Sequence, residues 1–135
     1  MIISHPNQSR QVPGKASQFT GEALGDLVLP TADGVTVNTV TFAPGARTHW
    51  HDHEQGQLLV ALTGYGLVCT AGQPPQRLRA GSWVWVPPGE RHWHGAAPDS
   101  FFTHTAVSLG TTRWAEPVST DDYNPTPTES DHDDH

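Results

Sequence analysis

At 135 residues, 35% of them hydrophobic, the chain has the length of one domain, enough to bury about two-thirds of its unfolded surface. Its single cysteine, Cys69, excludes an internal disulfide framework and fits a reducing, cytoplasmic setting, and the absence of any apolar run of about eighteen residues predicts no membrane span. The net charge of −7 is uneven: residues 1–114 hold all seven Lys and Arg and half of the fourteen Asp and Glu, so the body is neutral and offers nucleic acid no basic patch.

The start, MIISHPNQSRQVPG, lacks the apolar core and small-residue cleavage site of a signal peptide, and residues 1–14 read as an N-terminal arm. From there to residue 118, glycine and proline punctuate short apolar stretches, the texture of an all-β sandwich or barrel. VTVNTVTF (35–42) predicts a strand ahead of the turn Ala43-Pro44-Gly45, with Asn38, Val40 and Phe42 sharing one face. QLLVALTGYGLVCTA (57–71) predicts two strands meeting near Gly64-Tyr65-Gly66. GQPP (72–75) marks a turn, QRLRA leads to Gly81, and SWVWV (82–86) reads as a strand stopped by Pro87-Pro88-Gly89. HWHGAAP (92–98) and FFTHTAVSL (101–109) follow, and one short helical turn is expected after Pro117. No apolar pattern of helical period lasts three turns. Residues 119–135 form an acidic tail, expected to be disordered from about residue 120.

Six histidines lie between residues 49 and 104, at 49, 51, 53, 92, 94 and 104. Along a strand, positions i and i+2 project to the same face, so two imidazoles on one strand can converge on a single ion. A third from another strand would complete a facial set with open positions. Paired histidines also occur as hydrogen-bonded core residues, so the pattern nominates ligands without selecting them.

The register comes from a resemblance. Gly45-x5-His51-x-His53-x3-Gln57-x6-Gly64 resembles the first cupin motif, and Gly81-x5-Pro87-x-Gly89-x2-His92-x3-Ala96 resembles the second. The resemblance implies an all-β fold, the cupin double-stranded β-helix or jelly-roll barrel, with one divalent metal ion held inside by His51, His53, Gln57 and His92. It leaves His49 outside the ligand set, and Asp52 and Glu54, of opposite parity, pointing outward. Glutamine stands where the family usually has glutamate, and Ala96 replaces asparagine. A neutral glutamine leaves the full +2 on the ion, which favours Lewis-acid work; manganese is placed first by resemblance, with iron, nickel and zinc also suited to imidazole and amide oxygen.

FAPGARTHWHDHEQGQ, PPGERHWHGAAP and FFTHTAV are further similar to the small bacterial cupins that act as hydroxynitrile lyases. That resemblance implies proton transfer by His94 and His104 on a small-molecule substrate. Asn38, Val40 and Phe42, which share parity on a strand expected to face the cavity, are candidates to shape its fit, and His49 stands where the group generally has a small residue, an added imidazole near the metal. Exposed strand edges of small barrels are usually paired, so a homodimer or homotetramer is expected, with the N-terminal arm as an exchange element. Two other readings remain open at this level: an isomerase or ring-opening enzyme for uronate-like sugars, and a non-catalytic small-molecule binder.

Overall fold

Residues 35–42 form the strand their alternation predicts: β4 (Val35–Phe42) buries Val40 and Phe42 and turns Thr39 and Thr41 to the other face. The computed structural model describes residues 1–5 and 11–124, and β4 lies near the middle of its first sheet. β4 pairs on one side with β3 (Ala23–Ala32), which carries β1 (Gln11–Pro13) at its edge, and on the other with β11 (Phe102–Leu109). Across the β4–β11 seam, threonine hydroxyls meet in pairs on the outer face, Thr39 with Thr105 at 2.8 Å and Thr41 with Thr103 at 3.0 Å.

The stretch 57–71 does not divide into two strands. It is one strand, β7 (Gln57–Thr70), shared between two sheets. Its first half pairs with β11 and with β9 (Trp83–Val86); its second half pairs with β8 (Gln76–Arg79) and β10 (His92–Ala96). The bend falls at Gly64, which has φ +78°, and any side chain there would run into the carbonyl of Phe101. Glycine lets the chain turn the corner without leaving the ladder.

β10 then holds the second sheet together. It pairs with β5 (Arg47–Thr48), which continues to β2 (Phe19–Thr20), and with β6 (His51–His53), which continues to β12 (Thr112–Trp114). Facing residues of both sheets, among them Ala23, Val40, Phe42, Ala61, Ala96 and Phe102, fill the barrel. A second apolar cluster of Trp50, Cys69, Trp93, Val118 and Tyr123 packs separately from it. Burial pushes the Cys69 thiol up to about 11, so it is inert at neutral pH.

The C-terminal segment supplies part of that second cluster, which corrects the expected start of the disordered tail. Helix α1 (Thr120–Tyr123) is the short turn anticipated after Pro117, capped by the Ser119 hydroxyl, which accepts from the Asp122 N–H. Tyr123 is buried, donates its hydroxyl to the Ala96 carbonyl at 2.6 Å, and lies under the Arg47 guanidinium, 4.4 Å from its ring. Arg47 in turn donates to the Val118 carbonyl at 2.9 Å. The remainder of the expected tail, 125–135, lies outside the described residues, as do positions 6–10 of the arm. No helix among the described residues is long and apolar enough to cross a membrane.

Candidate metal centre and histidine pair

Strand β6 projects His51 and His53 to one face and Asp52 to the other, where Asp52 accepts from Arg113 at 2.7 Å. β10 lies beside β6 with His92 directly opposite His51. The three imidazoles are therefore gathered from two adjacent strands, and their nitrogens lie within 4.8 Å of one another, all buried. Gln57, at the head of β7, completes the group: its Oε1 lies 3.0 Å from His92 Nε2.

The tautomers follow from the partners. His51 Nδ1 faces the His49 carbonyl at 2.8 Å, and His92 Nδ1 faces the Glu90 carbonyl at 2.9 Å. A carbonyl only accepts, so both Nδ1 atoms carry the hydrogen and both Nε2 atoms present lone pairs. His53 Nδ1 lies 3.0 Å from the Thr112 hydroxyl, while its buried Nε2 has no partner. This is the arrangement in which an outer hydrogen bond fixes an imidazole for a metal. Burial drives all three toward the neutral form: His53 is pushed down to about 4 by burial and by neighbouring His92, and His51 and His92 also lie below the usual histidine range, with burial the largest cause. Neutral imidazole is the form a metal requires.

A second pair of histidines adjoins the first group. His94, two residues beyond His92 on β10, meets the His51 ring edge-on at 5.1 Å, and His104 on β11 reaches it across the barrel. His104 Nε2 and His94 Nδ1 are 2.7 Å apart, a short N–H···N bond. The outer nitrogens, His94 Nε2 and His104 Nδ1, are buried without partners. Burial pushes His104 down to about 4; His94 falls well below the usual range through burial, with His104 as the next cause. Two neutral rings share two protons over four nitrogens: one proton occupies the bond and the other sits at one outer end.

Comparison with known proteins fits this geometry. A cupin-domain family model matches residues 38–101. The chain is 39% identical over 129 residues to (R)-mandelonitrile lyase of Granulicella tundricola, an alignment covering 91% of this chain and 98% of that protein. This chain is a cupin. Its fold matches a cupin-like protein of Thermotoga maritima with a TM-score of 0.81 and 34% identity, covering 88% of this chain and 95% of the other. The polyketide cyclase RemF of Streptomyces resistomycificus matches with a TM-score of 0.67 over 98% and 96% of the two chains; at 18% identity it shows the fold alone.

The residues of this cupin fit a divalent ion on a physical ground. His92 Nε2 and Gln57 Oε1 are both acceptors, yet they face each other at 3.0 Å. Two lone pairs repel at that distance unless a cation lies between or beside them. Neighbouring ligand atoms on an ion with bonds of about 2.1 Å at right angles stand about 3.0 Å apart. Gln57 Nε2 is turned away, donating to Ser108 Oγ at 3.0 Å, which leaves the oxygen facing inward. His51, His53, His92 and Gln57 would hold the ion, all four as neutral ligands.

The other residues singled out from the sequence are distributed unevenly. Val40 is buried and sits opposite His104 in the β4–β11 ladder, and the Phe42 ring meets His104 edge-on at 5.2 Å. Asn38 shares their face but is only half-buried, and its Oδ1 is enclosed without a partner. His49 is buried in the link between β5 and β6 rather than on a strand, so it does not share the parity of His51 and His53. Its backbone is what serves the site, and it takes no part in the ring contacts that join the other five.

Four contributors escape the sequence reading. Thr112 orients His53, Ser108 anchors Gln57, the Thr48 hydroxyl accepts from the His94 N–H at 3.2 Å, and Trp114 lies over His51 at 4.7 Å. Ser108 was within reach, because it keeps the parity of His104 along β11. Thr112 and Trp114 sit in a three-residue strand with no periodic signal.

Proposed function

We propose that this cupin is a metal-dependent lyase of the hydroxynitrile type, cleaving or forming the C–C bond between a carbonyl carbon and cyanide. The observation that carries the reading is the His94–His104 pair, hydrogen-bonded end to end and set against the ligand group, in a chain 39% identical to a mandelonitrile lyase. A divalent ion in the four-ligand set, with manganese as the first candidate, supplies Lewis-acid polarisation of the substrate oxygen.

The chain's own residues then account for the protons. Cyanohydrin cleavage removes a proton from the hydroxyl and delivers one to departing cyanide. In one tautomeric arrangement of the pair, His94 Nε2 is the open base and His104 Nδ1 bears the proton; in the other the roles are exchanged. A proton taken at the base end, passage of the bridging proton, and release at the acid end leave the pair neutral and reversed. Burial favours this route, because neither ring has to persist as an imidazolium. Val40 and Phe42 form the apolar wall behind the pair, and Asn38, on their face of β4, keeps an Oδ1 without a partner. Trp83 and Trp85, 67% and 53% exposed on the outer face of β9, support a homodimer or homotetramer, and we place the protein in the cytoplasm.

Manganese-loaded protein should release benzaldehyde from mandelonitrile, and chelator-stripped protein should not. Equal rates with and without metal, or none above the spontaneous background, would reject the lyase reading.

A further inference from the structure

We propose that the outer face of the first sheet is the surface through which two copies of this chain associate, sheet on sheet about a twofold axis. This deepens the assembly proposed above and is independent of the metal and lyase readings. An antiparallel strand with one face in solvent alternates apolar and polar side chains, whereas a strand covered on both faces reads as a continuous apolar run. The first half of β7 reads Leu58-Leu59-Val60-Ala61-Leu62, and β9 reads Trp83-Val84-Trp85-Val86. Leu59, Ala61 and Val86 are buried on the inner side. On the outer side Leu62, Trp83 and Trp85 stand exposed, and no described part of the chain covers them.

The face continues without charge across four strands. One cross-strand row runs Thr39–Thr105–Val60–Trp83, and the next runs Val37–Val107–Leu58–Trp85. The first charge met along the former is Asp26, beyond Thr39 on β3. The hydroxyls of this face are engaged with one another, Thr39 with Thr105 and Thr41 with Thr103, so each enters a dry contact already holding a partner. Three features select a second copy as the cover. A face without charge meets itself about a twofold axis with no like charges opposed. The segment carrying Glu116, Asp121 and Asp122 is held over the other sheet, where Val118 and Tyr123 pack with Cys69 and Trp93, so those acids lie on the far side of the barrel. The area also suffices. At about 150 Å² for each indole, Trp83 and Trp85 of two copies supply about 600 Å², half of the roughly 1,200 Å² at which specific interfaces begin, and the aliphatic and threonine side chains beside them extend the contact.

The test is sedimentation equilibrium on the full chain, comparing the self-association constant of the wild type with those of four variants. Thr105→Arg sets two guanidinium groups against each other in the middle of the face and should weaken association about a hundredfold or more. Trp83→Arg, at a site exposed in the single chain, repeats the test where folding is not at stake and should weaken it in the same direction. Thr105→Val, of the same shape without charge, should stay within about fivefold of wild type. So should Tyr65→Lys, which places a charge at an exposed position on the other sheet. Thermal melting of each variant reports that it folds. Folded Thr105→Arg and Trp83→Arg proteins that associate as the wild type does would put the interface elsewhere and overturn the proposal while leaving the assembly. An equal loss in Tyr65→Lys would also overturn it, because the effect would then not belong to this face. A wild type that stays monomeric at every concentration would remove the assembly itself.

Discussion

Acidification of the metal-free protein should reveal the cost of a buried neutral His104. Its folded-state pKa is about 4, set by burial, against about 6.5 for an exposed histidine. The unfolded chain therefore binds a proton through the window from pH 6.5 down to 4 that the folded chain refuses. Stability is complete above about pH 6.5 and is lost as the pH falls toward 4. At pH 5 the loss from this one group is about 2 kcal/mol, rising to about 3 kcal/mol below pH 4. The assay is urea unfolding at pH 7.5 and pH 5.0 for wild type and for His104→Gln, whose amide can still reach His94. Buried His53 and His92 contribute to both proteins and cancel to first order, whereas His94 and His51, each lowered in part by His104, add to the difference in the same direction. The variant should lose about 2 kcal/mol less than wild type between the two pH values, a midpoint difference of about 1 M urea. Identical losses would show that His104 is protonated as readily in the fold as in the unfolded chain, and the neutral relay drawn here would go with it.

Replacing Thr112 with valine leaves His53 Nδ1 without its 3.0 Å partner, and should weaken metal binding about tenfold in chelator competition while leaving the fold intact. Tyr123→Phe removes the 2.6 Å bond to the Ala96 carbonyl; the expected cost is about 1 kcal/mol, read as a fall in Tm of about 4 °C. An unchanged Tm would mean that this hydrogen bond contributes nothing to stability. Charging the exposed face with Trp83→Lys and Trp85→Lys together should shift the protein toward monomer in sedimentation velocity at fixed concentration, without altering metal content. A wild type that sediments as a monomer would remove the proposed assembly.

Strict alternation made β4, β9 and β11 legible, because each has one face in the barrel and the other outside it. β3 was not, although it is ten residues long: its pairing with β4 shifts register between Leu27 and Leu29 and again before Ala32, and each shift interrupts the period-two pattern. Gly64 gave away the corner of β7 but suggested a break, since sequence does not tell a bend within a ladder from the end of one. The candidate ligands on β6 and β7 were nominated only because glycines at 45 and 64 set their register; parity alone would have admitted His49, which the structure puts off the strand. Parity also assigned Asp52 correctly to the outer face, where it meets Arg113. What parity does not report is how side chains from different strands meet. The 2.7 Å bond between His94 and His104 joins residues on β10 and β11, strands that are not ladder partners. The tail was misjudged for a different reason: Tyr123 sits alone among acids and threonines, with no periodicity to announce it, and is fixed by one hydrogen bond, one guanidinium and packing against Trp93.

The lyase chemistry depends on one ion held by three imidazoles and one amide oxygen. Crystals of manganese-loaded protein, measured at wavelengths on either side of the manganese absorption edge, test that directly. A single anomalous peak is expected, bonded to Nε2 of His51, His53 and His92 and to Oε1 of Gln57. A barrel with no peak, or an ion that leaves Gln57 unbound with its amide turned toward His92, would contradict it.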